Sequence, residues 1–174
     1  MAYTFKTYVF NGVTLRLVPH EPDNGYRLFV SFDGAIGLRI APNGIETLQN
    51  AIPTTCENCK IRSNAKRKQR YLQFKHPWNT DEQILVSHAV YLAWSGKTIP
   101  PGHQIHHLNG ITTDNRFDNL VCLSISEHRR YDAVQRSLRM SGRLDKMTSA
   151  EILEVTKHYL IDPRSTDDIM LSEE

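Results

Sequence analysis

One run of the chain, HHLNGITTDNRFDNLVCLSISEH from His106 to His128, holds the residue types that could do chemistry together. Adjacent histidines are followed, twelve residues after the second, by Asn119, and nine residues later by His128. That set makes a metal site with a neighbouring base, and the combination suits hydrolysis of a phosphodiester. The bond resists attack because it is anionic and its leaving group is poor. A divalent cation neutralises the charge that grows on the oxygens at phosphorus. A neutral imidazole near pH 7 takes the proton from the attacking water. General-base help supplies about 10²–10⁴-fold, whereas enzymes commonly reach about 10⁶–10¹⁷-fold. The metal and the positioning of substrate must supply most of the rest.

Local elements must position these groups. Gln104 to Leu108 reads as a short strand, Asn109-Gly110 as a turn, 111–118 as a polar loop and Leu120 to Leu123 as a second strand. Ser124-Ile125-Ser126-Glu127 is a capping box, so a helix starts there and runs to about Met140, before Ser141-Gly142. His128 and Asp132 are four apart and share a face of that helix. Neighbouring residues on a strand point to opposite faces, so an ideal strand cannot aim both His106 and His107 at one ion. The two therefore suit different jobs. The plain alternative for His107 is an exposed strand histidine, and for Asp132 an ordinary surface carboxylate.

The remainder of the chain frames this region. Hydrophobic content of 40% and charged content of 23% over 174 residues fit a globular protein with a real core. No apolar run reaches the length of a membrane span, and the N-terminus lacks an apolar signal region, so the cytoplasm is the expected location. The net charge is only +2, but twelve of the 21 basic residues crowd two stretches. One is Lys60, Arg62, Lys66, Arg67, Lys68 and Arg70; the other is Arg129, Arg130, Arg136, Arg139, Arg143 and Lys146. A single run reads as a solvated face. Two runs, one beside the histidines, point to a polyanion such as nucleic acid. Three cysteines, an odd number, argue against a disulfide framework. Cys56 and Cys59 form half of a structural zinc site that only Cys122 or a histidine could complete, with a reduced, non-liganding pair as the alternative.

Residues 1–83 read as a β-rich region. Asn11-Gly12 joins two alternating segments as a hairpin, a second pair of strands flanks Asp33-Gly34, and Pro42-Asn43-Gly44 ends that pattern. Residues from about 54 to 70 are polar and basic and read as a loop or arm. Tyr71 to Lys75 alternates like a further strand. Ile84 to Trp94 is apolar almost throughout, a buried helix from about Ser87 with a strand open at its start. The tail, 146–174, is acidic and has one helix, Ser149 to Leu160, with Thr148 and Glu151 as its capping box.

Residues His106 to His128, with the lead-in VSHAVYLAW and IPPG before them, resemble the HNH endonuclease motif of phage and homing-type enzymes over roughly 84–140. The resemblance implies an α+β chain with a ββα-metal (His-Me finger) nuclease domain at 84–145. It implies that His107 is the general base and that His106 and His128 bind a single metal. Asn119 would tie the loop together and orient His107. Asp132 falls where some relatives place a histidine ligand. Magnesium is the first choice of cation, and manganese, nickel or zinc suit the imidazoles on ligand softness. Double-stranded DNA is the implied partner, in a bacterial or phage-infected cell, with a homodimer as one route to cutting both strands. Arg129, Arg130, Lys66, Arg67, Lys68 and Arg70 would meet its phosphates. The alternative is a non-catalytic DNA-binding or zinc-stabilised module on the same scaffold.

Overall fold

A computed structural model describes residues 6–19, 25–55, 70–75 and 83–161, and it shows a mixed α/β fold. Cys56, Cys59, Lys66, Arg67 and Lys68 lie outside the described residues. The chain divides into two compact units: Met1–Thr98 with Thr112–Phe117, and Ile99–Ile111 with Asp118–Glu174.

In the first unit five strands form an antiparallel sheet in chain order: β1 (Thr7–Phe10), β2 (Val13–Leu17), β3 (Arg27–Ser31), β4 (Gly37–Ile40) and β5 (Glu46–Gln49). Asn11 and Gly12 sit at φ 49° and 79°. These are the two positive angles a type I′ turn requires, so this dipeptide sets the β1–β2 register. Strand alternation sends Leu15, Phe29 and Leu38 to one face, where Tyr8, Phe10, Leu17, Ile36 and Ile40 pack on them. The sheet curls over this cluster, bringing the Tyr8 hydroxyl on β1 into a hydrogen bond with Glu46 on β5.

Leu28 and Val30, which alternate with Phe29 on β3, are fully buried, as are Val86, Ala89 and Val90 of helix α1 (Val86–Ser95). Trp94 at the end of α1 donates its indole N–H to the Val30 carbonyl at 3.2 Å and carries the Arg16 guanidinium 4.2 Å over its ring. A second sheet pairs β6 (Ile52–Thr55), β7 (Arg70–Lys75) and β8 (Gln83–Leu85). Its Phe74 ring comes within 2.8 Å of the point a Cβ on Gly37 would occupy, so only glycine allows this approach.

Two strands here went unforeseen in the sequence. β5 lies past the Pro42-Asn43-Gly44 turn, and β6 occupies the start of the stretch read as an arm, with Arg70 at its other end already in β7. Both β5 and β6 are edge strands. β5 is mostly exposed, and β6 includes Pro53, which an edge tolerates.

The second unit is built on an antiparallel pair, β9 (His103–His107) with β10 (Leu120–Ser124), in the register Leu120 opposite His107 and Val121 opposite His106. The chain then enters α2 (Ile125–Met140) through the foreseen capping box. Ser124 accepts from the Glu127 N–H, while Glu127 accepts from the Ser124 N–H at 2.7 Å. Helix α3 (Ser149–Ile161) starts the same way, with Thr148 and Glu151 exchanging hydrogen bonds. Leu108, Leu123, Tyr131, Val134, Leu138, Leu144 and Ile152 form one buried cluster, so hairpin, α2 and α3 share a core. Residues 162–174 lie outside the described set.

Candidate metal centre

The strand and the helix bring three side chains to one point. His106 from β9 and His128 and Asp132 from the first turns of α2 each direct one donor atom into a group in which all lie within 4.8 Å of one another. His106 Nδ1 is 3.2 Å from His128 Nε2 and 3.7 Å from Asp132 Oδ1. His128 Nδ1 is 3.2 Å from Asp132 Oδ2, in the i, i+4 relation that a helix imposes. Donors bound at about 2.1 Å to one ion sit roughly 3.0–3.4 Å from their neighbours; this set is near that spacing without meeting it, since His106 and Asp132 are 3.7 Å apart and His128 faces its two neighbours through different ring nitrogens.

His106 is held firmly. Its ring lies edge-on to His128 with centroids 4.7 Å apart and tilts over Tyr131 at 5.5 Å. Burial, then the electrostatic effect of His128 beside it, push its pKa down to about 4, against the opposing pull of Asp132. It is therefore an unprotonated imidazole at neutral pH, the form a metal requires. Its Nε2 is buried and, among the described residues, has no hydrogen-bond partner. Partial burial acts to raise the Asp132 carboxyl, but the hydrogen bond from His128 and the positive charge that His128, His106 and Arg136 can place beside it outweigh that and leave the group below the usual carboxylate range. Asp132 is thus an anion at neutral pH. Burial drives the Tyr131 hydroxyl up to about 12, so this neighbour stays neutral.

His107 does not join the cluster, as strand alternation requires. It is also not an exposed strand histidine: only 5% of it is open. Its main chain is gripped from two sides. The Gly110 N–H donates to its carbonyl at 3.0 Å. The buried Gln135 amide donates to the same carbonyl at 2.7 Å and to that of Leu108 at 2.5 Å.

Asn119 is fully buried and closes the loop that follows. Its side-chain oxygen accepts from the Asn109 N–H at 3.0 Å and from the Ser149 hydroxyl at 3.2 Å, and its amide donates to Asn109 Oδ1 at 3.0 Å. Its own carbonyl accepts from the Leu108 N–H at 2.9 Å.

Gln135 and Ser149 were missed in the sequence. Gln135 had one signal, a polar residue among Tyr131, Val134 and Leu138 on the buried face of α2. Ser149 had none, because its partner lies 30 residues away. Of the basic candidates, Arg129 and Arg130 are exposed on α2. Among the described residues, Cys122 on β10 is not part of the metal cluster.

Residues 85–130 match the model of the HNH endonuclease family, a family of nucleases. The matched stretch contains His106, His107, Asn119 and His128 and stops short of Asp132, Gln135 and Ser149. No curated protein and no solved structure matches the chain. Among the described residues, no helix is long and apolar enough to cross a membrane.

Proposed function

We propose that the chain is a metal-dependent endonuclease that hydrolyses DNA phosphodiester bonds, on a ββα-metal core formed by β9, β10 and α2. The observation that carries this reading is the convergence of His106, His128 and Asp132 next to His107, inside or just beyond the stretch that matches a nuclease family. A bound divalent cation would supply charge neutralisation at the nonbridging and leaving oxygens of the substrate. His106, His128 and Asp132 would hold it. Two imidazoles and one carboxylate accept magnesium and, on softness, manganese, nickel or zinc.

His107 is the general base of this reading. An unprotonated ring takes the proton of the attacking water, and its orientation is the main requirement on the protein. Asn119 contributes indirectly, by locking Asn109 and Leu108 immediately after the base. Arg129, at the start of α2, is placed to meet a phosphate near the cut. The homing or phage type, the cytoplasmic location, the basic arm and a homodimer belong to the same reading.

The test is plasmid cleavage with EDTA, Mg²⁺ and Mn²⁺ in parallel, using the wild-type protein and His107→Ala. Wild type cuts only with metal. The variant keeps its fold, its duplex binding and its metal affinity, and loses about 10²–10⁴-fold in rate. Full activity in His107→Ala removes this residue from the mechanism. Wild-type protein that binds duplex but never cuts it, with either metal, favours the binding module instead.

A further inference from the structure

We infer that Arg136 and Arg139 form a phosphate track running from the metal centre down one flank of α2, so that the protein grips the DNA strand on one side of the cut. This rests on the nuclease reading and adds to it the direction in which the substrate lies.

The argument begins with helical geometry. At about 100° per residue, Arg136 lies roughly 40° from Asp132 around the helix axis and Arg139 roughly 20° on the other side. Both therefore share the flank that carries His128 and Asp132, one and two turns further along. Arg129 is about 60° from Asp132 and precedes it. Arg130 lies about 160° away, on the side of Glu127, whose carboxyl it helps to hold low behind the larger effect of the Ser124 hydrogen bonds. Of the two arginines first expected to meet DNA beside the site, only Arg129 projects near the metal flank.

Charge and contact on that flank agree with a polyanion. Arg136 and Arg139 are exposed, and no ion pair within 4.0 Å engages either among the described residues. Arg136 is near enough to Asp132 to help depress its carboxyl. Arg139 is seated rather than adrift: its Nη2 lies 2.4 Å from where a Cβ on Gly110 would stand. Gly110 has φ +72° and ends the turn directly after His107, so the absent side chain makes room for the guanidinium. His128, Asp132, the turn after the base and two guanidinium groups that make no ion pair among the described residues thus lie along one flank of α2.

The rise of an α-helix puts Arg136 roughly 6 Å and Arg139 roughly 10.5 Å beyond Asp132. Duplex DNA advances about 3.4 Å per nucleotide along its axis, so the pair spans about two to three phosphates in one direction only. Guanidinium forks suit phosphate oxygens, and such contacts set register without reading sequence.

The experiment compares wild type, Arg136→Gln, Arg139→Gln, the double variant, both Arg→Lys variants and Arg130→Gln. Duplex binding is measured in EDTA over 50–200 mM salt, and cleavage with Mn²⁺. Each removed contact should lower the log–log salt slope by about 0.9, hence about 1.8 for the double variant. KM should rise while kcat at saturating DNA stays within about twofold, as expected when only uniform binding is lost. Lysine should restore most of the slope, and Arg130→Gln should match wild type. Uncharged methylphosphonates should weaken wild-type binding when placed on one side of the cut and not on the other.

An unchanged slope in the double variant, an equal loss in Arg130→Gln, or a symmetric methylphosphonate effect overturns the track while leaving the nuclease reading intact. Wild type that neither binds nor cuts duplex overturns both. Should Arg139→Gln melt early through its seat on Gly110, Arg136→Gln alone still carries the slope test.

Discussion

Replacing Gln135 by methionine tests whether His107, the proposed base, is positioned by α2 or merely lies beside it. Methionine has nearly the same length and flexibility, so the buried site stays filled. What disappears is an amide that donates to two successive carbonyls, at 2.7 Å to His107 and 2.5 Å to Leu108. The His107 carbonyl keeps the Gly110 N–H. The Leu108 carbonyl, on a residue only 1% exposed, loses this donor. A net hydrogen bond is worth about 1 kcal/mol and a stranded buried acceptor costs about 1–3 kcal/mol, so the variant should lose roughly 2–4 kcal/mol of stability. Loosening the peptide on either side of Leu108 also frees the Cα–Cβ direction of His107. Misplacement of about 1 Å can cost on the order of 10²-fold in rate, and kcat should fall by roughly 10–100-fold. Duplex affinity in EDTA should stay within about threefold, since the amide's hydrogen bonds go to the carbonyls of His107 and Leu108 and not to an exposed arginine. Gln135→Glu sharpens the test by aiming a carboxylate at two carbonyls, and it should be worse than methionine on both measures. A methionine variant that melts early yet turns over at the wild-type rate refutes the positioning role. A glutamate variant as stable as the methionine one refutes the placement of the amide.

Two further outcomes follow from the same geometry. Ile152→Ala should cost about 2–5 kcal/mol in urea unfolding, because the side chain is fully buried with Leu108 and Leu123; a loss under 1 kcal/mol would show that α3 does not share the core of the hairpin and α2. Asp132→Asn should keep the shape of the site but remove its one anion, weakening Mn²⁺ by more than the 10–100-fold typical of outer-shell partners; calorimetry giving an unchanged affinity would take Asp132 out of the ligand set.

Features whose cause is local could be read along the chain. Asn11-Gly12 makes its turn because both residues accept positive φ, and Ser124 and Thr148 start helices by exchanging hydrogen bonds with a glutamate three positions on. His128 and Asp132 meet because they are one helical turn apart. Their meeting with His106 needed only the strand–loop–strand–helix order, which the same local signals define. What stayed hidden has causes elsewhere in the chain. β5 and β6 pair at sheet edges, where one neighbour suffices and the alternating apolar pattern that marks a half-buried strand is not required. Gln135 and Ser149 act through partners 27 to 30 residues away, and nothing in their immediate neighbours announces such bonds.

On the proposed reading, the distance between the metal and its base is set by how α2 is turned about its own axis. That helix spends one face on the core through Tyr131, Val134 and Leu138, presents His128 and Asp132 on a second, and reaches the base strand with Gln135 between them. Rotation enough to move either ligand would drag the apolar stripe out of the core or tear Gln135 from two carbonyls. His106 closes the arrangement from the strand side, since its ring meets both His128 and Tyr131. The two histidines are neighbours in sequence and strand alternation turns them opposite ways, so fixing their strand fixes both of the roles proposed for them. Asn119 and Ser149 then prevent the far end of that strand from slipping, and Ser149 does so from α3. Rigidity at this site therefore comes from residues outside the metal cluster, five of them beyond the stretch that matches the nuclease family: Tyr131, Val134, Gln135, Leu138 and Ser149.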